Sequence, residues 1–187
     1  MIVYHGSIRK FDRFTNESVV QHLRNDINTL GLWFTSNLEA AKPFAIGTES
    51  VIEKSATEFW EDGEPKVVQV ERPVRGFIYK VYVDEPNLKE YQSNTGDSFD
   101  LFMRERDKYC DYLGSHKKNL TWKDGAILLN EAEANSAFRK HLINQGYSGF
   151  ILRETQQFNN ITDLVCLFST GSLQIAEIMP LDGFPPS

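Results

Sequence analysis

His5, Gly6 and Ser7 are the first residues in the chain whose chemistry goes beyond packing. They place an imidazole, two amide groups and a hydroxyl close together, and glycine permits an approach to the backbone that a Cβ would block. A second group is Gly31-Leu32-Trp33-Phe34-Thr35, with Phe44 eleven positions after Trp33. One ring leaves a strand and the other follows on a helix. Such a corner can hold a planar ligand between flat faces, near the free N–H groups of the helix start. The third is Asp163, which opens an apolar run, Leu164-Val165-Cys166-Leu167-Phe168. By itself a strand-edge aspartate caps the polar loop before it.

The elements that must position these residues are legible in outline. Ile2 to His5 form a short strand broken at Gly6, and Phe11 and Phe14 bracket Asp12 and Arg13 in a loop. Residues 17–29 have the mixed polarity of a surface helix. Leu32 to Thr35 suit a strand, because bulky and β-branched side chains fit a pleated surface. Ser36 or Asn37 then supplies an N-cap oxygen, and Glu39 puts a negative charge at the helix start before Ala40 and Ala41. Pro43 removes a backbone bond there, which predicts a kink or an early helix end. Residues 48–60 continue helically, 61–65 turn, and Lys66 to Val70 form a short strand.

Gly76 to Val83 carry the clearest strand signal, expected at the centre of a sheet. Residues 84–96 look like loop, and Asp97 or Ser98 caps a helix to about Leu113, with a polar break from Ser115 to Lys118. A second long helix runs from Trp122 or Ala126 to Asn144, stopped at Gly146. Phe150 to Leu152 form a strand, Arg153 to Asn160 a polar loop, Asp163 to Phe168 a strand, and Leu173 to Ile178 a last strand before a Pro-rich tail. Strands at both ends with helices between them, and no regular βαβ alternation, predict an α+β fold.

With 187 residues, 41% of them hydrophobic and 25% charged, the chain has the composition of one globular domain rather than a disordered or fibrous one. Its net charge of −6, from 20 basic and 26 acidic residues, provides no general attraction to phosphate backbones or anionic membranes. No apolar run reaches membrane-spanning length and MIVYHG is unlike a signal peptide, so the expectation is a cytoplasmic protein without a membrane partner. Cys110 and Cys166 lack metal-type spacing, and His22, His116 and His141 form no ligand pattern, so no disulfide and no metal are expected. Glu131-Ala132-Glu133 sits on a helix pattern, and Gly146-Tyr147-Ser148-Gly149 is one residue short of a nucleophile elbow. Neither a Walker loop nor a dinucleotide glycine fingerprint occurs.

Taken together, the three groups resemble the ADP-ribosyltransferases of the diphtheria toxin and poly(ADP-ribose) polymerase type. Tyr4-His5-Gly6-Ser7 resembles the family's first-strand His-Gly-(Thr or Ser) motif. Gly31-Leu32-Trp33-Phe34-Thr35, with the small pair Ala40-Ala41 and the second aromatic Phe44, is similar to its second. Asp163-Leu164-Val165-Cys166-Leu167-Phe168 followed by Gln174-Ile175 resembles its third. The chain departs from the family at Trp33 and Phe44, where tyrosines are usual, and at Asp163, where a glutamate is usual.

The resemblance implies one domain over residues 1–187, with two packed antiparallel-rich sheets around an NAD cleft and peripheral helices. NAD is then the co-substrate, cleaved at the nicotinamide–ribose bond. By that resemblance His5 holds an adenosine-side ribose hydroxyl, Gly6 binds the nicotinamide carboxamide through its backbone, and Trp33 and Phe44 clamp the ring. Ser7 and Thr35 are second contacts, and Asp163 stabilises the positive charge developing on the sugar. The loop with Gln156, Gln157 and Phe158 faces a macromolecular acceptor, a protein by default and nucleic acid as the alternative. The expected activity is mono-ADP-ribosyl transfer by a toxin, defence factor or effector, with an inhibitor or antitoxin protein as a further partner. The rivals are an NAD glycohydrolase and an inactive NAD- or ADP-ribose-binding module.

Overall fold

The computed structural model of the protein describes residues 1–15, 27–94, 97–116 and 131–181. Most of the surface helix expected over 17–29 lies outside the described residues, as do the start of the second long helix, Lys117 and Lys118 of the polar break, His22 and the tail beyond Leu181. The fold is α+β. Seven strands make one mixed sheet, β1 (Ile2–Ser7), β2 (Leu32–Thr35), β5 (Phe77–Val83), β6 (Leu88–Tyr91), β7 (Gly149–Gln157), β8 (Asn160–Leu167) and β9 (Leu173–Pro180), in the order β6-β7-β8-β2-β1-β5-β9. Only β6 and β7 run parallel. The remaining pair, β3 (Ile46–Phe59) and β4 (Pro65–Arg75), forms a separate two-stranded hairpin.

The sheet is nearly cut in two. β1 and β2 share one residue pair, Tyr4 with Thr35, whereas β1 and β5 are paired over the whole of β1. A single hydrogen-bonded sheet therefore replaces the two separate sheets expected, with a gap at its middle. One core cluster joins both halves across this gap, Val3, Tyr79 and Val81 on one side and Leu32, Phe34, Ile151 and Val165 on the other. The opposite face of the β2-β8-β7 half carries Leu164, Cys166, Phe150 and Leu152, and these bury against the helices α2 (Ser98–His116) and α3 (Glu131–Asn144) through Phe102, Phe138 and Leu142. Strand alternation sends neighbouring side chains to opposite faces, which is why Phe34 and Trp33 belong to different clusters. Among the described residues no helix is long and apolar enough to cross a membrane.

Several expectations are corrected. The middle strand is the short β2, and β5 lies second from the edge. Residues 48–60 pair with β4 as an extended strand instead of a helix, because Val51 and Ile52 meet Val70 and Gln69 across a hairpin closed at Gly63, whose φ is +85°. β4 runs on to Arg75, well past Val70, and Leu88–Tyr91, expected as loop, forms the edge strand β6. The polar loop after Leu152 is likewise a hairpin: β7 continues to Gln157 and β8 begins at Asn160, with a register shift between Leu152 and Thr155 where Glu154 has φ +51°. Thr155 and Thr162 pair there, β-branched residues whose strand preference overrides the polarity around them. α2 runs on into the expected break, taking in Ser115 and His116.

Candidate functional site

The pocket opens at the gap between β1 and β2. A pair of hydrogen bonds between Met1 and Val83 sets the phase of the β1–β5 ladder. Bonded pairs alternate in an antiparallel ladder, so Val3, His5 and Ser7 turn their backbone groups to β5 while Tyr4 and Gly6 turn theirs the other way. Tyr4 meets Thr35, and there the β1–β2 ladder ends. Gly6 thus presents its N–H and C=O to the gap.

Gly6 also seats the next wall. After β2 the chain turns into the short helix α1 (Leu38–Ala41), capped by the Asn37 side chain, which accepts the Glu39 N–H at 2.9 Å. Pro43 ends it as expected: residues Lys42–Ala45 tighten into a 3₁₀ turn that carries Phe44. A Cβ on residue 6 would stand 2.2 Å from the Ala41 carbonyl oxygen and 2.9 Å from the Phe44 Cβ. Only glycine lets this segment lie directly on β1.

The resulting pocket, about 230 Å³, is lined by Tyr4, His5, Gly6, Trp33, Phe34, Thr35, Ala41, Phe44, Phe99, Gln157 and Leu164. Segments far apart in sequence converge on it, His5 and Gly6 from β1, Trp33 from β2 and Phe44 after α1, without Asp163. Trp33 stands edge-on to Phe150 at 5.4 Å, which fixes its ring from the core side. Phe44 is 45% exposed and Phe158, at the tip of the β7–β8 hairpin, is 59% exposed, and the two meet edge-on at 5.5 Å. Phe99 arrives on the first turn of α2, which is capped by Asp97 and tied to β7 by the Ser98 hydroxyl donating to the Arg153 carbonyl at 2.6 Å.

His5 reaches across the gap with Nδ1 2.9 Å from the Trp33 carbonyl oxygen. A carbonyl only accepts, so Nδ1 carries the proton and Nε2 of the neutral ring is left as an acceptor. Burial lowers the His5 pKa below its ordinary value, and the bond to Trp33 offsets this in part. The pocket therefore holds a neutral imidazole near pH 7.

Other expected residues stand elsewhere. Ser7 Oγ donates to the Arg9 carbonyl at 2.9 Å and accepts the Arg9 N–H at 3.2 Å, closing a turn outside the pocket. Thr35 does line the pocket, yet its hydroxyl is spent on the Asn37 carbonyl at 2.7 Å. Gln157 lines it as well; Gln156 and Phe158 do not, and Gln156 is exposed beside the turn. Asp163 is the main correction. Its carboxylate is held at 2.8 Å by Arg153 Nη1 and at 3.0 Å by the Glu154 N–H, while Arg153 Nε binds Glu90 at 2.6 Å. Alternation along β8 turns Leu164 to the pocket and Asp163 away from it, so no carboxylate is among the lining residues.

Sequence reasoning did not single out Phe99 or Leu164. The signal for Leu164 was available in the alternation of β8; for Phe99, brought in by a long-range contact, there was none. Glu133 lies on α3 and His141 stacks on Tyr109 at 4.1 Å, both apart from the pocket lining. Comparison with models of known protein families, with curated proteins and with solved structures returns no match, so the assignment of the pocket rests on its own geometry.

Proposed function

We propose that the pocket binds the nicotinamide–ribose end of NAD and that the domain is an ADP-ribosyltransferase-like fold that transfers single ADP-ribose units to a macromolecular acceptor. One observation carries the reading: His5, Gly6, Trp33 and Phe44 line one pocket, with the Gly6 N–H and C=O turned away from β5 toward the β1–β2 gap. A carboxamide needs one donor and one acceptor side by side, and its ring needs flat apolar walls. At about 230 Å³ the pocket is smaller than the roughly 300–1,000 Å³ of a cleft for a whole drug-sized ligand. It suits one end of a dinucleotide, with the remainder lying outside.

In the transfer the bond between ribose C1′ and the nicotinamide nitrogen breaks, and its electron pair leaves with nicotinamide. An acceptor nucleophile then bonds C1′ and releases its proton. His5 Nε2 accepts from a sugar hydroxyl, and the amide oxygen of Gln157 is the lining group that takes the place of the expected carboxylate beside the cationic sugar. A dipole stabilises a cation less than a charge does, so turnover is slow.

The second reading, a module that binds NAD or ADP-ribose without cleaving it, is favoured by the engagement of Asp163 with Arg153 and the Glu154 amide. NAD labelled on both the nicotinamide and the adenylate side separates the two. The transferase reading expects released nicotinamide and adenylate label in the protein or nucleic-acid fraction of a lysate. It also expects Gln157→Ala to slow release while Asp163→Asn leaves it within a few-fold. Binding without release selects the module; release without labelling selects a glycohydrolase. Absence of NAD binding by calorimetry, or equal binding by Trp33→Ala, refutes the site, because losing the ring wall costs about 0.5–1.5 kcal/mol.

A further inference from the structure

We propose that Tyr79 is the positioning residue for His5, holding the segment after β1 folded back over the imidazole so that the ring keeps its Nδ1–H tautomer and a bare Nε2. Tyr79 is fully buried on β5, directly across the ladder from His5. Its hydroxyl accepts the Phe11 N–H at 2.7 Å, and its own proton faces the carbonyls of Phe11 at 3.2 Å and Arg9 at 3.4 Å. Its ring stacks on Phe11 at 4.0 Å and 7°. One side chain thus grips residues 9–11 by both backbone and ring.

The consequence falls on His5. Phe11 and Phe14 stand edge-on to the imidazole at 6.1 and 5.4 Å, and Phe34 and Tyr79 lie tilted to it at 5.7 and 6.3 Å, while its remaining edge lines the pocket. The four aromatic rings offer no acceptor to a second ring N–H, and no carboxylate is among the described residues that line the pocket, so the charged imidazolium is disfavoured. The charged groups of the folded-back segment, Arg9, Lys10, Asp12 and Arg13, are exposed, with Lys10 lying over the Phe77 ring. β2 contributes the Trp33 carbonyl, and Lys42 after α1 is paired with Glu39 at 2.6 Å. Among the described residues, none that lines the pocket is charged apart from the titratable His5. The aromatic shell and the bond to Trp33 therefore set the state of the ring, and Tyr79 holds the part of the shell contributed by the segment after β1.

The test is Tyr79→Phe in the full chain, which keeps the ring and deletes the hydroxyl, read by nitrogen-15 NMR of the His5 imidazole across pH. Wild type is expected to show the Nδ1–H tautomer and to titrate below an ordinary histidine. In Tyr79→Phe the titration should move up toward the ordinary value, and both tautomers should appear. Affinity for NAD should then fall several-fold in mildly acid buffer and recover in mildly alkaline buffer, a split that general destabilisation would not produce. Phe11→Leu, which removes the stack and keeps the backbone bonds, gives the same readout if Tyr79→Phe does not fold. A wild-type titration and tautomer in the folded variant overturns the proposal. The affinity measurement rests on the NAD reading above, and the NMR measurement does not. A shifted His5 titration in a chain that never binds NAD therefore supports the positioning role while refuting that reading.

Discussion

His5 and Asp163 show how one side chain's surroundings decide what it can do. His5 is neutral because burial disfavours its charge, and its lowered pKa has a thermodynamic consequence. Below the unfolded-chain value of 6.5 the unfolded state takes up the proton more readily than the folded one. The contribution of His5 is therefore fully present above that value and is lost as pH falls toward and through the lower folded value. Denaturant unfolding of wild type should weaken on acidification with an extra slope of up to about 1.4 kcal/mol per pH unit, which His5→Gln abolishes. An identical pH slope in the variant would show that the ring is not buried neutral. Asp163 is engaged away from the pocket, where Arg153 and the Glu154 amide occupy both of its oxygens.

The elements around the pocket depend on two backbone positions. The first is Gly6, where the close approach of the Ala41 carbonyl leaves no space for a side chain. Gly6→Ala must push α1 and the 3₁₀ turn off β1, an overpacking cost of roughly 1–3 kcal/mol, visible as a lower melting temperature. Trp33 should also become more accessible to a fluorescence quencher. A variant that melts like wild type would mean that the seat is looser than its geometry. The second is Phe158, which holds φ +52° at the β7–β8 turn, where a bulky residue is rarely found. Asn tolerates that region, so Phe158→Asn should stabilise the hairpin by roughly 0.5–1 kcal/mol in denaturant unfolding. The same change removes the ring that meets Phe44. A loss of stability instead would show that this contact outweighs the backbone strain.

At the scale of the whole molecule, the chain divides into a split sheet that holds the pocket and an arm that does not. The β3–β4 hairpin leaves the body after Ala45 and returns at Gly76, where the Gly76 N–H already donates to the Ala45 carbonyl at 2.7 Å. Its residues belong to none of the three buried core clusters, and Ile52, Trp60 and Val67 are exposed. Replacing residues 48–73 by a two-residue turn should therefore leave the melting temperature within about 2–4 °C, the shift for roughly 1 kcal/mol in a domain of 150–250 residues. Ligand binding in the pocket should be retained. Loss of cooperative unfolding would show that the arm is part of the core.

Local physics made much of this legible from the residues alone. The apolar run of β2, the Asn37 cap with Glu39 behind it and the early stop at Pro43 each act within a few positions, so the sequence states them directly; Gly6, expected to break the first strand, is instead paired within β1. The resemblance in short motifs pointed to His5, Gly6, Trp33 and Phe44, and these four line one pocket. Tertiary structure decided what depends on distant partners. Residues 48–60 became strand because β4 lay beside them, and the polar stretch after Leu152 became a hairpin because Thr155 met Thr162. A one-residue phase along β8 turned Leu164 rather than Asp163 into the pocket, since alternate residues face opposite sides and pairing with β2 sets which side is which.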